Sequence, residues 1–212
     1  MVNNFIEIPK AVDPHLRRWM LFVDGENFTI RAQEIAKANG ITLTEGPDYL
    51  RDVFIWFPGI RPTLALTNTA GAPVQVQKNA IRSYYYTSVV GDADRIGTVR
   101  QSLWDLGFQA EIFKKPKGQD KAKGVDIALS KDFLSHAFRD NYDVAVLVAG
   151  DGDYVPLIDE VKRLGKVVYV SFFRASGLNA DLRLASDMFF EMDDFFVKRW
   201  SPTVTPKEIE KQ

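Results

Sequence analysis

Cysteine is absent and histidine occurs only twice, at His15 and His136. The first absence excludes disulfides, thiolate nucleophiles and Cys-ligated zinc; the second leaves little for imidazole ligation or a Ser-His-Asp arrangement. Any catalysis must therefore lean on carboxylates. Long apolar runs are also missing. Stretches such as 144–149 and 167–173 are strand-length and fall far short of the roughly 20 residues that span a bilayer, so no membrane contact is expected. Residues 1–10 lack the basic start and apolar run of a secretory signal, which makes the cytoplasm the default address. Nor is there an excess of either charge: 27 Lys and Arg stand against 28 Asp and Glu, a net charge of −1. Such a balance gives no overall attraction to a polyanion, so contact with nucleic acid has to come from local basic patches. The Gly-x-Gly-x-x-Gly and Gly-x-x-x-x-Gly-Lys patterns are absent, which excludes the dinucleotide fingerprint and P-loop chemistry.

What is present reads as one folded domain, because 46% hydrophobic and 26% charged residues over 212 positions suffice for a sizeable core. Residues 19–23 form an almost wholly apolar run that stops at Asp24-Gly25, a buried strand with a polar carboxyl end. Phe28, Ile30, Ile35 and Ala36 then fall on a loose helical period, closed by Gly40. Residues 41–79 differ in kind, with four prolines and three glycines, and read as a loop-rich insertion with room for a hairpin. Strand composition returns at 81–90, a helix follows through Ile96, Val99, Leu103 and Leu106, and 108–113 is a third strand. Val125, Leu129, Phe133 and Ala137 lie four apart on one helix face. A fourth strand at 144–149, a helix through Leu157, Ile158, Val161 and Leu164, and a fifth strand at 166–172 complete the pattern. Strands alternating with helices imply parallel βαβ units and a three-layer α/β domain with a mostly parallel sheet of about five to six strands. Residues 1–17 read as a lead-in, 18–200 as the domain with its 41–79 insertion, and 201–212 as a polar tail.

In open parallel sheets functional groups gather at the carboxyl ends of strands. Acidic residues sit there: Asp24 after the first strand, Asp126 beyond the third, Asp151 and Asp153 after the fourth, with Glu26 nearby. If those strands are close together, the carboxylates converge, and mutual repulsion then calls for protonation or a cation. Hard oxygen donors without His or Cys favour Mg²⁺ or Mn²⁺, and the corresponding chemistry is phosphodiester hydrolysis by a metal-activated water. Asn27, in the first helical turn, is placed to position a phosphate or a carboxylate.

The runs Phe22-Val23-Asp24-Gly25-Glu26-Asn27-Phe28, Lys123-Gly124-Val125-Asp126-Ile127 and Ala149-Gly150-Asp151-Gly152-Asp153-Tyr154 occur in the order found in NYN domains, including LabA-like proteins. A fourth stretch, 176–189 with Leu178, Leu182 and Asp187, resembles that family's closing segment. The likeness covers roughly 18–195 apart from the insertion. It implies a PIN-like (Rossmann-like) fold, Mg²⁺ or Mn²⁺ dependence, RNA as the usual substrate, and Asp24, Asp126, Asp151 and Asp153 as the catalytic and metal-binding set. Two departures stand out. Ala149 replaces a common Ser or Thr, which removes any hydroxyl contribution there, and the insertion exceeds a minimal NYN domain.

Each motif also has a plainer explanation. Asp24-Gly25 alone is a turn, Asp151-Gly152-Asp153 a turn with a helix cap, and Asp126 a carboxylate favoured by a helix dipole. Asp187 is at least as well explained by a structural bond to a backbone amide. Lys114, Lys115, Lys117, Lys121 and Lys123 form the densest basic stretch, either a solvated loop or a contact for a phosphate backbone arriving at Asp126; Arg174, after the fifth strand, is a second candidate contact. Tyr84, Tyr85 and Tyr86 offer base stacking, yet strand alternation sends at least one into the core. The expectation is a metal-dependent endoribonuclease; the competing one is an RNA-binding regulatory module that cuts weakly or not at all. Assembly into a homo-oligomer is left open by the sequence.

Overall fold

The computed structural model describes residues 5–8, 18–67, 73–77, 80–118 and 124–201. The chain runs through β1 (Phe5–Ile8), β2 (Trp19–Asp24), α1 (Gly25–Ala38), β3 (Tyr49–Leu50), β4 (Phe54–Ile55), β5 (Thr63–Thr67), β6 (Pro73–Gln77), β7 (Arg82–Val89), α2 (Ala93–Asp105), β8 (Gln109–Lys114), α3 (Val125–Phe138), β9 (Val144–Val148), α4 (Val155–Arg163), β10 (Val167–Phe172), α5 (Ala180–Ala185), β11 (Met188–Glu191) and α6 (Asp193–Trp200). Six strands form the central sheet in the order β11-β10-β9-β2-β7-β8, and every neighbouring pair is parallel. The five strands expected from composition are all there, and β11 is the sixth.

Strand order explains where a site forms. From β2 the chain steps outward through β7 to β8, then returns to the other side of β2 and steps outward again through β9, β10 and β11. The reversal lies between β2 and β9, and at such a switch point the helices following the two strands leave to opposite faces and open a crevice at the carboxyl ends. The sheet is therefore covered on both sides. Trp19, Leu21 and Val23 point into a core with Phe28, Ala32, Ile35, Val99, Leu103 and Phe196, which is the face of α1, α2 and α6. Met20 and Phe22 point the other way, into a core with Val125, Leu129, Phe133, Ile158 and Val161 from α3 and α4. The period of two along β2 then puts Asp24 on the α3 and α4 side.

Two expectations change. The insertion is less loop-like than its prolines and glycines suggest, since Tyr49, Val53, Phe54, Ile55, Phe57 and Ile60 are all buried in the first core. Their apolar side chains supply the burial that outweighs local turn propensity, at about 1.5–3 kcal/mol for each large one. The short hairpin β3–β4 is fastened to β7: the Ile55 amide donates to the Tyr85 hydroxyl at 3.2 Å, and the Thr87 hydroxyl donates to the Val53 carbonyl. A second hairpin, β5–β6, lies in the same insertion. The lead-in, read as unstructured, contributes β1, which pairs in parallel with β5. Among the described residues no helix is long and apolar enough to cross a membrane.

Candidate active site

Asp24 closes β2 and caps α1, accepting the Asn27 amide at 3.1 Å on Oδ1. Its side chain is almost fully buried at 3% exposure. Gly25 follows because nothing larger fits: a Cβ there would lie 1.9 Å from the Tyr85 ring. Asp126 stands in the first turn of α3. The fourth strand of that reading, β9, is the neighbour of β2, whereas the third, β8, is one strand removed, with β7 between them. Asp126 reaches Asp24 by another route, because α3 crosses back over the sheet to connect β8 with β9 and brings its N-terminal turn to the switch point.

Tyr154 joins the two carboxylates. Its hydroxyl lies 3.0 Å from Asp24 Oδ2 and 3.3 Å from Asp126 Oδ1. Burial of its ring and the two neighbouring carboxylates hold the phenol far above its ordinary pKa, so it keeps its proton. One proton cannot serve two ionised carboxylates, and the electrostatics of Asp24 answer this. Burial first, then the charges of Asp126 and Glu26, push Asp24 up to about 7, against the opposing pull of the Asn27 amide and the Tyr154 hydroxyl. A carboxyl so placed is poised to be neutral until a cation arrives.

Asp151 follows β9, whose Val148 is registered against Val23 on β2, so it stands at the same end of the sheet. Its Oδ1 accepts the Asp153 amide at 3.1 Å; Asp153 itself lies exposed in a single 3₁₀ turn, 152–154. Gly150 is required by crowding, since a Cβ would meet the Phe172 ring at 2.2 Å and the Gly177 carbonyl at 2.4 Å. The segment after β10 docks here too, through the Asn179 amide on the Gly150 carbonyl at 2.9 Å. The structure thus brings Asp24 and Asp126 into one hydrogen-bonded unit, with Asp151 and Asp153 at the neighbouring strand end. Among the described residues no three His, Cys, Asp or Glu side chains form a group able to hold a metal ion as they stand.

Residues 18–193 match the NYN domain. The chain belongs to the NYN domain family. Membership carries a nuclease-like, RNA-related function in coarse terms, and NYN nucleases typically use divalent metals. The chain is also similar in fold to the crystal structure of a protein of unknown function from Vibrio parahaemolyticus. The TM-score is 0.55 at 21% identity, covering 87% of this chain and 98% of that one. No curated protein matches significantly. For this NYN domain the donor chemistry suits a hard divalent cation: two carboxylates share one hydroxyl, and the Oδ1 of Asn27, whose backbone amide is bonded to Asp24, is buried with no hydrogen-bond partner. Orphaned buried acceptors are uncommon, and a cation or its water shell would satisfy this one.

The expected basic contacts divide. Lys114 and Lys117 are exposed after β8, whereas Lys115 is not part of a solvated stretch. It is 8% exposed and donates to Glu26 Oε1 at 3.2 Å, where the Ser88 hydroxyl also donates. Burying an ammonium requires a partner carboxylate, so Lys115 is removed from the set of free RNA contacts. Lys121 and Lys123 lie outside the described residues. Arg174 is exposed and pairs with Glu191 at 3.4 Å. The tyrosine run is not a stacking platform: Tyr85 and Tyr86 are fully buried and the Tyr84 hydroxyl pairs with His136 at 3.0 Å. Asp187 has the structural role, accepting the Val168 amide at 2.8 Å. Sequence reasoning gave Tyr154 no role, although its place directly after Asp151-Gly152-Asp153 was the one available signal.

Proposed function

We propose that the protein is a metal-dependent endoribonuclease, with Asp24 and Asp126 as the primary carboxylates and Asp151 and Asp153 completing the acidic set at the β2–β9 switch point. The observation that carries this is the buried Asp24 carboxyl, linked to Asp126 through one hydroxyl and disposed to neutrality near pH 7. Carboxyl groups whose ionisation is shifted by burial and by each other in a crevice are characteristic of functional sites. Mg²⁺ or Mn²⁺, when bound, supplies charge neutralisation on phosphoryl oxygens and activation of a water. The chain's own part is to hold the carboxylates at the strand ends, to orient them through the Tyr154 hydroxyl and the Asn27 amide, and to bring the exposed Lys114 and Lys117 up to the RNA backbone. Arg174 is a further candidate contact, and the cytoplasm the expected compartment.

A second reading, an RNA-binding module with little or no cleavage, is favoured by one observation: no third carboxylate joins the Asp24–Asp126 pair among the described residues. Incubation of labelled RNA and DNA oligonucleotides with Mg²⁺, Mn²⁺ or chelator separates the two. The nuclease reading expects internal cuts in RNA that require metal and are lost in Asp24→Asn and Asp151→Asn, both folded by circular dichroism. Binding without cutting under every metal condition favours the module, and undiminished cutting by both variants overturns the assignment.

A further inference from the structure

A second feature opens on the same end of the sheet, one strand over from Asp24. Between the tip of the β3–β4 hairpin and the carboxyl end of β7 lies a cavity of about 570 Å³, whose polar lining is Arg51 and Asp52 from the tip, Ser88 from β7, Arg95 from α2 and Lys115 after β8, over a floor of apolar residues from α1, the hairpin and β7. That volume falls within the range of about 300–1,000 Å³ common for ligand clefts. With Lys115 paired to Glu26, the lining leaves two guanidinium groups against the one carboxylate of Asp52. Arg51 and Arg95 are exposed, and neither takes part in an ion pair among the described residues. Lys115 is fixed beneath them by Glu26, which Ser88 also holds. Glu26 is two residues from Asp24 in the chain, and Ser88 two residues beyond Tyr86, the register partner of Asp24. Glu26, held by two residues of the cavity, is thus the link between the cavity and the acidic site.

We propose that this cavity is a phosphate-binding subsite flanking the acidic site, in which the guanidinium groups of Arg51 and Arg95 receive a phosphate of the RNA strand whose neighbouring phosphodiester lies at Asp24. The inference rests on the nuclease reading for the identity of the strand, but the anion chemistry is local to the cavity. Planar guanidinium forks match phosphate oxygens in pairs; Arg95 gives up no ion pair when an anion arrives, and Arg51 exchanges only a neutral partner, the Tyr49 hydroxyl. Lys115 contributes neither a contact nor a net charge, since its ammonium is already seated on Glu26, and the anion is left to the two guanidinium groups. The hairpin is anchored to β7 by Tyr85 and Thr87, so Arg51 is presented by a braced element. The ligand chemistry is a ribose phosphate, whether internal to the strand or at its 5′ end.

The test is fluorescence anisotropy with a uridine oligoribonucleotide labelled at its 3′ end, in chelator so that nothing is cut, over a salt series. Arg51→Ala/Arg95→Ala is expected to bind at least about tenfold more weakly, with a salt slope shallower by about 0.7, the value for one neutralised phosphate on a single strand. Arg51→Lys/Arg95→Lys, which keeps charge but not the fork, should lie between. A 5′-phosphorylated oligonucleotide favoured over its 5′-hydroxyl form only by wild type assigns the end phosphate; equal affinities assign an internal one. Unchanged affinity and slope in the alanine variant, folded by its thermal melt, overturn the proposal. Loss of affinity in a protein that cuts no RNA supports the subsite and removes the nuclease reading, while metal-dependent cutting with wild-type KM in the alanine variant does the reverse.

Discussion

The Tyr154 hydroxyl meets the Asp24 carboxylate at 3.0 Å across 130 residues of chain. The contact depends on three local facts: alternation along β2 turns Asp24 toward α3 and α4, Gly25 leaves room for the Tyr85 ring, and the 3₁₀ turn after Asp151 sends Tyr154 back under the strand ends. Removing the hydroxyl in Tyr154→Phe leaves Asp24 Oδ2 short of a donor in a buried place. The variant should lose on the order of 1–2 kcal/mol, read by urea unfolding in chelator; an unchanged midpoint would show that the bond adds nothing to stability.

The pH dependence of metal-free stability follows from Asp24. Its carboxyl rises from 3.8 in the unfolded chain to about 7 in the folded one, so between those values the folded state binds more protons and stability falls as pH rises. The contribution is complete below about 4 and is lost as the pH passes through about 7. Asp24→Asn should flatten this window and be the more stable protein at pH 8 without metal, by on the order of 2 kcal/mol. Thermal melts at pH 5 and pH 8 in chelator measure it, and parallel pH profiles for the two proteins would contradict the electrostatic account.

Lys115 and Glu26 form a pair whose side chains are 9% and 6% exposed. Breaking it leaves a buried carboxylate without its cation, so Lys115→Met is expected to cost about 3–5 kcal/mol. The double variant Glu26→Gln/Lys115→Met should recover much of that loss. Equal destabilisation of the single and double variants in guanidinium titrations would rule out the pair as the cause.

Lys114 and Lys117 are exposed at and just beyond the carboxyl end of β8, the same end of the sheet as the acidic site. Lys114→Glu/Lys117→Glu should weaken RNA binding strongly at low ionic strength and little at about 1 M salt, where the Debye length falls to about 3 Å. A loss that is the same at both salt levels would point to misfolding rather than lost attraction.

Much of this was legible in the chain because its signals are local and periodic. Residues 19–23 and 144–149 are buried in both directions, which continuous apolar runs express directly, and the four-residue spacing of Val125, Leu129, Phe133 and Ala137 marks the inner face of α3. Three kinds of information were not local. The neighbour of β2 on one side is β7 rather than β8, which depends on pairing between distant segments. The insertion's core residues are interleaved with prolines and glycines, so turn chemistry masked apolar burial at Phe54, Ile55, Phe57 and Ile60. Lys115 sits in a run of lysines, and only the fold distinguishes the one that turns inward to Glu26.

The fastening of the β3–β4 hairpin to β7 separates two jobs within one insertion. Phe54 and Ile55 belong to the foundations and tolerate little exchange, while Arg51 projects from them like an interchangeable fitting. Exchanging the side chain at position 51, with Asp52 kept because its φ of 59° suits few other residues, should therefore re-target the cleft toward different anions or repel them altogether, with the carboxylates around Asp24 left as they are.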